Sequence, residues 1–109
     1  MGTIGTRRNP RVYCGVPARI ETSKGPARGT ARNLSCGGAF LLCKAMPAVG
    51  QSLEVEIDLP GRKIKAVAEV RYQFSHPEDG DGVGVRFLRL DGEDLAAITR
   101  FVAERSKDG

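Results

Sequence analysis

Between Leu53 and Phe74 the chain alternates apolar and polar residues almost without a break. Leu53, Val55, Ile57 and Leu59 interleave with Glu54, Glu56 and Asp58; beyond Pro60-Gly61, Ile64, Ala66, Ala68, Val70, Tyr72 and Phe74 interleave with Lys65, Glu69, Arg71 and Gln73. A period of two belongs to a strand, because successive side chains leave opposite faces of the pleat. The segment predicts two strands joined by a Pro-Gly hairpin turn, each with one buried and one wet face. An isolated hairpin is marginal in water, so the rest of the chain must cover that apolar face.

The remaining sequence reads as further short strands. Val12 to Thr22 suits a strand with a bulge or edge near Gly15 and Pro17, and Ser23 to Pro26 suits a turn. Ala27 to Leu34 and Gly38 to Cys43 follow as strands joined by a turn at Ser35 to Gly38. Ser75 to Gly82 reads as an acidic, flexible loop, and Val83, Val85 and Phe87 mark a sixth strand. Asp91 can cap a helix whose first turn holds Glu93 and Asp94 and whose apolar stripe is Leu95, Ile98, Phe101 and Val102. Closure is the usual way to hide strand edges, so the fold predicted is all-β dominated: a six-stranded antiparallel β-barrel with one C-terminal α-helix lying against it. With 109 residues the chain makes one domain. We expect a flexible arginine-bearing arm over 1–11, the barrel and helix over 12–105, and a disordered tail over 106–109.

The formal net charge of +4 conceals an asymmetry, since residues 1–53 carry eight basic side chains against Glu21 alone, whereas the remainder has nine basic and twelve acidic. An anionic partner for the N-terminal half is the natural reading. No apolar run approaches the ~18 residues of a membrane span, and Met1 to Thr6 lacks a signal peptide's apolar stretch, so a cytoplasmic location without membrane insertion is expected. Cys14, Cys36 and Cys43 are odd in number and lack zinc-site spacing, and the one histidine, His76, sits beside Pro77. Free thiols are expected, with no metal and no disulfide.

Catalytic patterns are thin. Ser35 has no histidine at a plausible spacing, Cys36 has no evident base, and the carboxylates fall mainly on solvent faces, which argues against an enzyme. Gly82-Val83-Gly84-Val85 resembles part of a dinucleotide-binding loop but lies inside a strand with no helix directly after it. Its glycines suit a bend, or a place where something packs closely on the sheet.

Two segments stand apart: Arg7-Arg8-Asn9-Pro10-Arg11, and Asn33-Leu34-Ser35-Cys36-Gly37-Gly38. A guanidinium can fork onto a phosphate, stack on a purine and donate two hydrogen bonds to guanine. Asn and Ser can bond a ligand edge or the local backbone, and paired glycines expose backbone N–H groups. Separately, the first reads as a solvated charge run and the second as an Asx turn. The pair Arg7-x-x-x-Arg11 and Asn33-x-Ser35-x-x-Gly38, on this strand pattern, resembles the PilZ domain family. The strand Gly82-Val83-Gly84-Val85-Arg86-Phe87 and the helix after it are similar to that family's closing strand and helix. The likeness extends from about Arg7 to about Glu104.

The resemblance implies a stand-alone receptor for the second messenger cyclic di-GMP, with no other cofactor, compatible with control of motility, exopolysaccharide output or virulence. By analogy Arg7, Arg8 and Arg11 contact guanine and phosphate, Asn33 and Ser35 engage a guanine edge and nearby polar atoms, Gly37 belongs to the same turn, and Gly38 leaves room for the base. Asn33 stands where many members have Asp, keeping the carbonyl acceptor but not the charge. Ligand binding would order the arm and create a surface for an unidentified effector protein, the chain itself being a monomer or weak homodimer. Two alternatives stand beside this. One is a ligand-independent PilZ-like adaptor; the other is a general nucleic-acid binder, disfavoured because most of the few aromatic residues are expected to face the core.

Overall fold

The computed structural model describes residues 11–78 and 80–108. Among these residues six strands follow in chain order: β1 Val12–Thr22, β2 Gly25–Leu34, β3 Gly38–Leu42, β4 Ser52–Leu59, β5 Arg62–His76 and β6 Gly80–Leu90, with a helix, α1, over Gly92–Asp108. They close into a barrel in the order β1-β2-β3-β6-β5-β4, every neighbouring pair antiparallel. The β4–β5 hairpin forms where expected, with Leu59 opposite Arg62 and Gly61 at φ 85°. Proline followed by a left-handed glycine is what a type II turn requires.

The core is the inward row of these strands plus one stripe of α1. Ile20, Leu34, Leu41, Ile57, Ile64, Val70, Val83 and Ile98 are fully enclosed. Burying each such side chain contributes roughly 1.5–3 kcal/mol, which makes this layer the main source of cohesion. In the helix Ala97, Ile98, Phe101 and Val102 face inward, while Leu95, expected in that stripe, is 41% exposed. The inward face is instead completed by Asp94, only 5% exposed. Its carboxylate accepts from Arg62 Nε at 2.7 Å and from the Lys65 backbone N–H at 3.2 Å, so the helix is latched to β5 by a carboxylate that reads from sequence as solvated. The helix continues to Asp108, beyond the boundary expected at 105.

Two expectations about β5 and β6 are corrected. The segment Ser75 to Gly82 is not a long loop: β5 runs to His76 and β6 starts at Gly80. Tyr72 and Phe74 do not continue the inward row of Val70, because the β5–β6 register slips between Val70 and Tyr72. An extra residue in one strand inverts the alternation beyond it, and here it turns both aromatics outward. Tyr13, Tyr72 and Phe74 are all exposed, so core-facing aromatics no longer count against a nucleic-acid partner. No helix among the described residues is long and apolar enough to cross a membrane.

Candidate functional site

The bulge in β5 builds an aromatic layer on the outside of the barrel. Phe40 opposes Gly84 on one side, Tyr72 opposes Gly84 on the other, and Phe74 opposes Gly82. Phe40 stacks with Tyr72 at 6.3 Å between ring centroids and meets Phe74 edge-on at 5.2 Å. The glycines make this possible: a Cβ at Gly84 would overlap the Tyr72 ring, and one at Gly82 would press on Phe40 and the Leu41 carbonyl. They are floor for aromatic rings, as close packing on the sheet requires.

Beside this layer lies a cleft of about 270 Å³ lined by Arg11, Ser35, Gly37, Gly38, Ala39, Arg71, Tyr72, Gly84, Val85 and Arg86. Three guanidinium groups surround it. Arg71 Nη1 lies 3.5 Å from Glu69, and Glu69 sits directly across from Arg86 in the β5–β6 ladder. Among the described residues no carboxylate lines the cleft itself, so its field favours an anion.

The turn between β2 and β3 is held by Ser35. Its backbone N–H donates to the Gly38 carbonyl at 2.9 Å, and its Oγ accepts from the Gly37 and Gly38 N–H groups, both at 3.2 Å, while donating to the Gly38 carbonyl at 3.3 Å. The side chain is 6% exposed and committed to backbone. The Gly37 carbonyl accepts from Phe87 N–H at 2.9 Å, which pins the turn to β6. A Cβ on Gly38 would collide with the Val85 carbonyl, so strand packing alone already demands glycine there.

Asn33 does not line the cleft. It lies one strand away on the same outer face, in a row that runs Tyr13, Asn33, Phe40, Gly84 and Tyr72 across five strands. Its Oδ1 is buried without a hydrogen-bond partner among the described residues. Such an acceptor is costly to leave unpaired and calls for a donor. Arg7 and Arg8 lie outside the described residues. The structure therefore brings Arg11, Ser35, Gly37 and Gly38 together and sets Asn33 beside them.

Sequence reading missed Arg71, Tyr72 and Arg86 as cleft residues. Arg86 carried a signal, lying between the inward Val85 and Phe87 on the closing strand, but Tyr72 carried none, because a bulge leaves no mark on an alternating pattern. All three cysteines are free. Burial pushes the Cys14 thiol above its usual pKa, partly offset by the Val16 backbone and by Arg105; burial and the charge of Asp81 raise that of Cys43. Cys36 Sγ lies 3.3 Å from Thr99 Oγ1, joining the β2–β3 turn to α1.

A closed antiparallel barrel with one C-terminal helix and an arginine-lined cleft on its outer wall defines a small β-barrel domain. The PilZ domain model matches residues 5–104, and the chain belongs to the PilZ domain family. Among solved structures, the Bacillus subtilis inhibitor of motility MotI/DgrA superposes with a TM-score of 0.86 at 22% identity, covering 96% of this chain and 53% of that one. The PilZ domain of Escherichia coli YcgR, solved with c-di-GMP, superposes at 0.73 with 13% identity, covering 95% and 94%. At these identities the likeness is one of fold. This chain spans about half the length of MotI/DgrA. Among curated proteins, none matches this chain.

Proposed function

We propose that the chain is a cyclic di-GMP receptor whose ligand occupies the arginine cleft and extends over Asn33. The observation that carries this reading is the convergence of Arg11, Arg71 and Arg86 on the Ser35–Gly38 turn, next to an unpartnered buried carbonyl oxygen on Asn33. The guanidinium groups match two phosphates and guanine edges, the Asn33 oxygen accepts from a guanine N–H, and the exposed face of Tyr72 offers a stacking platform. Arg7 and Arg8 join Arg11 in closing over the ligand. Ser35 acts by holding the turn, and Gly37 and Gly38 by giving the ligand close access to it. The domain signals from the cytoplasm without chemistry of its own, through an effector that reads the liganded surface.

Calorimetry of cyclic di-GMP binding to the wild type beside Arg11→Ala, Asn33→Ala and Tyr72→Ala tests the site. Loss of a charge-assisted bond at Arg11 is worth about ten- to a hundredfold in affinity, and loss of a neutral hydrogen bond at Asn33 or of a stacking face at Tyr72 up to about tenfold. A wild type that binds no cyclic di-GMP overturns the reading and leaves the adaptor role. Tight, steeply salt-dependent binding of single-stranded oligonucleotide in its place would identify a nucleic-acid binder. Hydrogen exchange across residues 2–12 checks the arm, since unchanged exchange at saturation would exclude its closure.

A further inference from the structure

A second groove, independent of the nucleotide cleft, lies between α1 and the tip of the β4–β5 hairpin. It encloses about 430 Å³, and its walls include Leu59, Pro60, Ala97 and Phe101 with Arg62, Arg100, Glu104 and Arg105. Leu59, Ala97 and Phe101 belong to the core and form an apolar floor. Around it stand three guanidinium groups and one carboxylate.

Two of the three cations are available. Arg62 spends Nε on Asp94 at 2.7 Å and Nη2 on Glu93 at 3.4 Å. The Arg100 side chain makes no ion pair or hydrogen bond among the described residues, and the Arg105 guanidinium lies over the Phe101 ring with its Cζ 4.8 Å from the centroid. That guanidinium already occupies the one aromatic face in the groove, so a nucleic acid finds no ring on which to stack. A floor of side-chain carbons below positive groups instead fits a polypeptide that offers carboxylates and one apolar side chain.

Neither residues 1–10 nor the stretch from Glu78 to Asp81 has the composition of such a segment. Residues 1–10 contain Arg7 and Arg8 and no acidic residue. The acidic stretch Glu78 to Asp81 has no apolar anchor, and Asp81 accepts from Ser75 Oγ at 2.6 Å. We propose that the α1–hairpin groove docks an acidic, apolar-anchored segment of a partner protein, through Arg100 and Arg105 above Leu59, Ala97 and Phe101.

The test uses the full chain and a dye-labelled decapeptide of alternating glutamate and leucine, followed by fluorescence anisotropy at low and high salt. Wild type is expected to bind, and the double variant Arg100→Glu/Arg105→Glu to bind about tenfold or more weakly. Neither residue touches the cyclic di-GMP cleft, so ligand calorimetry on the same variant is expected to be unchanged and reports separately on the nucleotide reading; it also certifies the fold. Failure of the wild type to bind, or equal binding by the variant, overturns the proposal. So does concentration-dependent self-association abolished by Glu78→Lys, which would make a second copy the occupant.

Discussion

At the scale of single residues, two glycines on the outer wall look alike in sequence and differ in what they tolerate. A Cβ at Gly38 would meet the Val85 carbonyl, whereas one at Gly84 would meet the ring of Tyr72, which is 45% exposed and can swing away. Gly38→Ala is therefore expected to cost about 1–3 kcal/mol, since backbone must move, and Gly84→Ala under about 1 kcal/mol. Urea midpoints of the two variants check the contrast, and equal losses would contradict it. Gly84→Ala is nevertheless expected to weaken nucleotide binding by displacing the Tyr72 platform. Ser35→Ala leaves the Gly37 and Gly38 N–H groups without their acceptor, and a loss of about 1–3 kcal/mol is expected in the same experiment. Ser35, Gly37 and Gly38 were legible as a turn because their chemistry is local. The overlaps at Gly38 and Gly84 were not, because they involve strands far away in sequence.

At the scale of elements, alternation, apolar runs and turn residues placed the six strands and a helical stripe with its cap placed the helix, and alternation failed in β5 where one extra residue entered. The slip between Val70 and Tyr72 decides which wall of the barrel carries the aromatic layer. Alternation read alone assigns Tyr72 to the core, and with it conceals the exposed ring beside the arginines. The helix illustrates the complementary case, since Leu95 is the stronger hydrophobe but Asp94 takes the inward position because Arg62 and the Lys65 N–H receive its carboxylate. Asp94→Ala is expected to destabilise the fold by about 1–3 kcal/mol, because the Lys65 N–H loses its acceptor and Arg62 its partner. Arg62→Ala adds little once Asp94 is gone. A double-mutant cycle in urea measures that coupling, and strictly additive losses would show that the latch does not act as a pair.

At the scale of the whole molecule, the barrel closes through its shortest ladder. β1 meets β4 only at Ala18–Ile57, Arg19–Glu56 and Ile20–Val55, while β5 and β6 pair over most of their length. Two thiols on the β1 and β3 sides of the barrel report on its integrity: Cys14 on β1, donating to the Ala31 carbonyl at 3.2 Å, and Cys43 just past β3, donating to the Ala45 carbonyl at 3.0 Å. Folding raises the pKa of both, so the unfolded chain gives up these protons more readily than the folded one. Below the ordinary thiol pKa near 9 both states hold the protons and the full contribution to stability is present. As pH rises from there through the raised folded values the unfolded state binds fewer protons, and stability falls. Lysine and tyrosine titrate in the same alkaline range, so the contribution is isolated by difference. The double variant Cys14→Ala/Cys43→Ala, compared with wild type by urea denaturation from pH 7 to 10, is expected to show a shallower alkaline decline. Parallel curves would mean that neither thiol is shielded when the barrel is closed.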